Sequence, residues 1–247
     1  MVLTPIKVFS GDDINKLNEA LWMTIYNKGN QLHFGGADEV KEAKEIFAVI
    51  QLYGKALNDL YDGKLPKGWK FGETAQKIYI EMLKNPDRGD QPYTYGQRLH
   101  AIPEWSGFED DGICYCGYMN QIESIRDELA FTISEGIQSN RICFVIWIPS
   151  DISLDNPPCF QWGQVRLSEK NKISLRVLFR SNDAVNAVFA NIGAVSKVLV
   201  DEVITPSGGE LEEIIWIAVS EHIYLNDLDT VEALIGKVPD HLRRLMK

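Results

Sequence analysis

The amino-acid sequence predicts an α/β (α+β) layered domain in which helices flank one large mixed β-sheet. Two observations carry this expectation. Segments with apolar residues at the 3-to-4-residue helical period are mixed with short apolar runs of strand length, and the links between them are short. The 247 residues, 45% apolar and 24% charged, can bury a large core and suit a single domain spanning 1–247.

The elements follow in order. Ser10 to Tyr26 reads as a helix, with Ser10 or Asp12 as its cap and Ile14, Leu17, Leu21 and Ile25 on one face. Ile46 to Tyr53 is continuously apolar and β-prone and is read as a buried strand, although a helix fits the same letters. Asp59 to Lys70 is rich in turn formers and leads into a helix at about Glu73 to Leu83, lined by Ala75, Ile78, Tyr79 and Met82. Asn85 to Gln91 is a polar loop. Gln121 to Ser134 is helical, with Ile122, Ile125, Leu129 and Ile133 facing inward. Three strands are then expected, at Ile142 to Ile148, Phe160 to Leu167 and Ile173 to Phe179. Asp183 caps a helix to about Val203, and Ile214 to Tyr224 is the last long strand. No internal repeat of 20 to 50 residues is present.

Composition narrows the function. A net charge of −10 disfavours sequence-independent nucleic-acid binding, which is driven by phosphate neutralisation. A small anion needs only a local cluster of arginines. No apolar run approaches the ~20 residues that cross a bilayer, and the first residues lack a signal-peptide pattern, so a cytoplasmic protein is expected. Four cysteines, Cys114, Cys116, Cys143 and Cys159, are too few for a disulfide scaffold, and no second pair accompanies Cys114 and Cys116 to make a structural zinc site.

Three clusters carry chemistry. In Asn156-Pro157-Pro158-Cys159-Phe160, two prolines fix the backbone before a cysteine at a strand entrance; alone, this reads more readily as a packed core thiol. In Phe179-Arg180-Ser181-Asn182-Asp183, an arginine ends a strand and a helix mouth follows, a place suited to phosphate, though an ordinary N-cap explains the same letters. Such an arginine also lowers the pKa of a neighbouring thiol from its usual ~8.5. In Glu221-His222-Ile223-Tyr224, the strand period puts His222 and Tyr224 on one face, able to hold a sugar hydroxyl or simply to satisfy each other.

Taken in order with Asn191, eleven residues after Arg180, these clusters resemble the thymidylate synthase family. Lys67-Gly68-Trp69-Lys70-Phe71-Gly72 and Tyr93-Thr94-Tyr95-Gly96 resemble its short archaeal-type branch. The likeness covers about residues 66 to 228, with 1–65 a divergent part of the same domain. It implies the family's layered fold, with the sheet forming a homodimer interface. It also implies that Cys159 adds to C6 of dUMP, that Arg180 and Ser181 bind its phosphate, and that Asp183 contacts the pterin. Asn191 would read the uracil amide edge, where cytosine-specific hydroxymethylases of this fold place an aspartate. His222 and Tyr224 would hold the 3′-hydroxyl, and Tyr95 would handle the C5 proton. Gln164 matches a glutamine near the dimer interface, and Arg141 resembles the arginine that reaches the partner's phosphate. The implied donor is a methylene-tetrahydrofolate or methylene-tetrahydromethanopterin-type pterin, with no metal.

The sequence also departs from the family pattern. Asn140 replaces a second phosphate arginine, and no arginine precedes Arg88, leaving Lys28 or Lys41 as substitutes. The Glu-Leu-Leu-Trp motif is missing, with Glu45 as the stand-in for its proton-relay glutamate. Only 23 residues follow Tyr224, which predicts loss of the long folate-closing tail and leaves room for a different donor, for instance the methanopterin-type carrier that the archaeal-type resemblance suggests. Two alternatives stay open: a hydroxymethylase, in which water replaces hydride, and a nucleotide-binding relative without catalysis.

Overall fold

The computed structural model describes residues 4–35, 40–69, 72–109 and 112–236. Lys70 and Phe71 lie outside the described residues, as do the side chains of Lys41, Cys114 and Cys116. The chain begins with β1 (Ile6–Gly11), α1 (Ile14–Lys28), β2 (Asn30–Gly35), β3 (Val40–Tyr53), α2 (Gly54–Tyr61), α3 (Glu73–Lys84) and α4 (Tyr95–His100). It continues with the hairpin β4 (Ile102–Glu109) and β5 (Gly112–Met119), then α5 (Gln121–Glu135), β6 (Cys143–Val145), β7 (Phe160–Leu167) and β8 (Lys172–Phe179). The last elements are β9 (Asn182–Asp183), α6 (Val188–Leu199), β10 (Glu210–Tyr224) and α7 (Leu228–Ile235). The eight-stranded mixed sheet runs β1-β3-β10-β8-β7-β6, with β2 on β3 and β9 on β10. No helix among the described residues is long and apolar enough to cross a membrane.

Two compact units divide the chain, 1–73 with 178–193 and 213–247, and 74–177 with 194–212. In the first, Asp13 opens α1 by accepting the backbone N–H groups of Asn15 and Lys16 at 2.9 and 3.3 Å. The expected stripe of Ile14, Leu17, Leu21 and Ile25 is buried, joined by Trp22. Strand β3 pairs in parallel with β1 and antiparallel with β10, which buries Ile46, Ala48, Ile50 and Leu52. The expected strand there is correct, and it is longer than its apolar core.

One irregularity in β10 has functional weight. Ala218 pairs with Ala48 and Glu221 with Ile46, so β10 has one extra residue between them. This bulge gives Glu221 the inward position that simple alternation would assign to Ser220. A carboxyl group thereby follows Ile214, Trp216 and Ala218 into the core.

The second unit packs α5 against β6 and β7 through Ile122, Ile125 and Leu129. Asn120 caps α5 at its start, and Gly136 ends it in the left-handed conformation at φ 63°. Arg98 on α4 and Asp151 form a buried ion pair at 2.7 Å, and Asp151 also accepts the N–H of Ile148. These bonds tie α4 to the turn that leads toward Cys159.

Several expectations need correction. The Asp59 turn belongs to α2, which Gly54 at φ 54° allows to start directly after β3; the turn formers act only after Tyr61. On α3 the buried residues are Gln76 and Leu83, whereas Ile78 and Met82 are mostly exposed. The strand expected at Ile142 to Ile148 keeps only Cys143–Val145. Beyond it, Ile146 and Trp147 both donate to Gln161 O, and Ile148 donates to Asp151, so the regular ladder ends. Helix α6 starts at Val188 after a turn, and its end widens into a π-helical turn at Val200–Ile204.

Gly163 faces Phe144 across β7 and β6, and a Cβ there would collide with the buried Phe144 ring. That ring meets Phe160 edge-on at 6.0 Å, immediately after Cys159. Gly163→Ala is therefore expected to cost about 1–3 kcal/mol through overpacking. Urea denaturation checks this; a midpoint equal to wild type would show that the ring yields freely.

Candidate active site

The second unit holds the thiol. Cys159 is half-buried, between the buried Pro158 and Phe160. Gln161 Nε2 donates to Pro158 O at 2.6 Å, bracing the turn from below. Tyr95, the first residue of α4, accepts the N–H of Phe160 on its hydroxyl at 3.3 Å and meets the Phe160 ring edge-on at 5.7 Å. Tyr93 donates to Asn156 O at 3.3 Å. Backbone and side-chain bonds thus fix both flanks of the cysteine.

Two phenols face this thiol. Burial, and then the nearby Cys159, push Tyr79 far above the ordinary tyrosine value. Burial also pushes Tyr95 far up, with Tyr79 and Cys159 adding to it and the Phe160 N–H opposing it. Both hydroxyls are therefore neutral near pH 7 and can donate or accept a hydrogen bond there. Tyr95 was expected from its sequence motif. Tyr79 was not, because a helical apolar stripe does not show which phenol turns toward a sulfur.

The first unit holds the second cluster. Asn182 pairs with Glu221 and Asp183 with His222 in the parallel register of β9 and β10. Ala184 N–H donates to His222 O at 2.8 Å, and Trp22 Nε1 donates to Ala184 O at 2.7 Å. Both backbone groups of Ala184, the residue after Asp183, are thus held. Asp183 Oδ1 accepts the N–H groups of Val185 and Asn186 at 2.8 and 3.0 Å, so its expected capping role is met within the turn before α6. Those N–H groups serve Asp183, which leaves the anion-binding capacity expected at this helix mouth to other donors. Arg180 and Ser181 are half-buried at the end of β8.

His222 and Tyr224 share a face as expected, with ring centroids 4.7 Å apart in an edge-on arrangement. Glu45 lies opposite His222 in the register of β3, and its Oε2 accepts the Ser220 hydroxyl at 2.5 Å. Burial pushes His222 below its ordinary value, while the Ser220 carbonyl, Asp183 and Glu45 work against that shift. Asn191 Nδ2 donates to Asn182 Oδ1 at 3.1 Å. Asn182 and Glu221 stand inside the clusters singled out from the sequence, but that reading gave neither a role. A lone carboxylate in the apolar run of β10 was the available signal.

Other expected residues have plainer surroundings. Arg141 is exposed beside β6. Gln164 Nε2 donates to Asn140 O at 2.8 Å, so its side chain braces the chain before β6. Lys28 is exposed at the end of α1.

Glu221 is fully buried, and no hydrogen bond of ordinary geometry reaches its oxygens among the described residues. Burial raises its pKa well above the ordinary 4.5, Asp183 adds to this, and Asn182 opposes it. The unfolded chain loses the proton first, so this group's contribution to stability is present below about pH 4.5 and declines as pH rises toward the folded value. Glu221→Gln is expected to flatten that decline. Denaturant midpoints from pH 4 to 8 check this, and parallel profiles for the two proteins would contradict it.

Residues 57–246 match the family model described as thymidylate synthase. A Methanosarcina mazei protein that carries thymidylate synthase as a provisional name is 29% identical over 213 residues, covering 85% of this chain and 86% of its own. A Methanocaldococcus jannaschii protein with the same provisional name is 29% identical over 177 residues, covering 68% and 72%. The thymidylate synthase of Mycoplasma mobile is 34% identical over 116 residues, covering 47% and 40%. With the family model matched over most of its length, the chain belongs to the thymidylate synthase family.

Proposed function

We propose that this chain methylates C5 of dUMP to give dTMP, with a methylene-carrying reduced pterin as the one-carbon donor. The observation that carries the reading is the half-buried thiol of Cys159, on a braced turn and faced by two neutral phenols. A sulfur so held has the fixed approach that addition to a ring carbon requires. The same assignment gives Arg180 and Ser181 the phosphate, His222 and Tyr224 the 3′-hydroxyl, and Asn191 the uracil edge. A homodimer in which Arg141 of each copy reaches the other's phosphate completes the reading.

The thiolate of Cys159 adds to C6, and the electron pair of the C5–C6 bond moves to give an enolate with nucleophilic C5. When bound, the pterin would supply the methylene unit and the hydride, and the Cys159 thiolate leaves C6 as the C5–C6 double bond re-forms. Asn191 stabilises charge on O4 by donating from its amide, a contribution of a few kcal/mol when preorganised, of order ~3. Tyr95, neutral throughout, takes part in C5 proton transfer by accepting on its oxygen as it passes its own hydrogen to water. Glu45, whose Oε2 accepts the Ser220 hydroxyl and which keeps further acceptor positions, is the proton-relay carboxylate of this reading. Asp183 uses three contacts of the roughly four acceptor positions a carboxylate offers, in its bonds to Val185 N–H, Asn186 N–H and the Asn186 amide. It thus retains room for one pterin N–H.

Tritium release from C5-labelled dUMP tests the chemistry, with tetrahydrofolate and methanopterin donors compared. Cys159→Ala is expected to abolish release while dUMP still binds, and Tyr95→Phe to slow it by about 10²-fold with little change in KM. Sustained release by Cys159→Ala would refute the nucleophile, and an unlabelled product bearing a hydroxymethyl group would refute methylation.

A further inference from the structure

Recognition of uracil by an asparagine poses a physical problem. The uracil edge offers an N3 donor and an O4 acceptor, whereas cytosine offers an N3 acceptor and an N4 donor. A side-chain amide that turns over by 180° serves either pattern equally. Discrimination therefore requires that the amide be held in one orientation.

Such a hold is built into the first unit. Asn191 Nδ2 donates to Asn182 Oδ1 at 3.1 Å, which commits the nitrogen end of Asn191 toward β9. Asn182 is itself buried, 3% exposed, and is paired in register with Glu221, which is 0% exposed. The β10 bulge is what brings Glu221 to that inward position. A carboxyl presents an acceptor oxygen in either protonation state, so it favours Asn182 with Nδ2 turned toward it and Oδ1 turned toward Asn191. The Asn182 nitrogen makes no hydrogen bond of ordinary geometry, and neither do the Glu221 oxygens, so each is the obvious partner for the other.

We infer that Glu221 and Asn182 are positioning residues that lock the Asn191 amide in one orientation and so set the preference for uracil over cytosine. The inference rests on the reading that Asn191 meets the pyrimidine edge. With the lock in place, Asn191 Oδ1 accepts from N3–H and its second Nδ2 hydrogen reaches O4. Without it, Asn182 turns over, Asn191 follows, and the reversed pattern suits the cytosine edge.

The test is the ratio of dissociation constants for dUMP and dCMP, measured by calorimetry without any pterin. Glu221→Leu and Asn182→Ala are each expected to shrink the wild-type preference for dUMP by about tenfold, the scale of one well-oriented base contact. Glu221→Gln, which keeps an acceptor oxygen, is expected to retain most of it. Thermal melting confirms that each variant is folded; if Glu221→Leu is not, Asn182→Ala and Glu221→Gln decide. A wild-type protein that prefers dUMP, with folded variants that keep its ratio, overturns the lock alone. Failure of the wild type to bind either nucleotide overturns both the lock and the underlying assignment.

Discussion

The backbone of Ala184 is the constraint on which the second cluster depends. Its carbonyl accepts from Trp22 Nε1 and its N–H donates to the carbonyl of His222. Through that grip, a two-residue strand is enough to register Asn182 with Glu221 and Asp183 with His222. Two residues of ladder alone would be marginal, since isolated strand pairing contributes little without packing. The buried indole supplies that packing.

The thiol cluster solves the same problem differently. Two prolines, a glutamine bond to a proline carbonyl and a tyrosine hydroxyl on the next N–H hold Cys159 without any regular element. The Arg98–Asp151 ion pair fixes α4, which carries Tyr95. Breaking one side of such a buried pair costs several kcal/mol, about 3–5, because the remaining charge stays desolvated. Rigidity around the sulfur is thus maintained by polar bonds within an apolar surround.

Much of this was legible in the sequence, and the limits have physical causes. The α1 stripe and the α5 helix follow from periodicity, which burial enforces directly, and the β3 and β10 strands from apolar, β-prone runs. Strand β1 was missed because Ile6 and Val8 face outward, opposite to what an apolar run suggests. The hairpin β4–β5 mixes glycine, cysteine and aromatic residues without clear alternation. Among the candidate site residues, Cys159, Tyr95, His222, Tyr224, Asn191 and Asp183 carried their motifs in plain order. Glu221 and Asn182 did not, because a bulge decides which way Glu221 points, and no local pattern encodes a bulge.

The central claim is covalent addition of one sulfur to C6 of a uracil nucleotide. Incubation with 5-fluoro-dUMP and a methylene-carrying reduced pterin tests it most directly, because fluorine at C5 cannot leave as a cation and the adduct must stall. Peptide mass spectrometry should then find the nucleotide on the peptide containing Cys159. An adduct on Cys143 instead, or no adduct at all, would contradict the account.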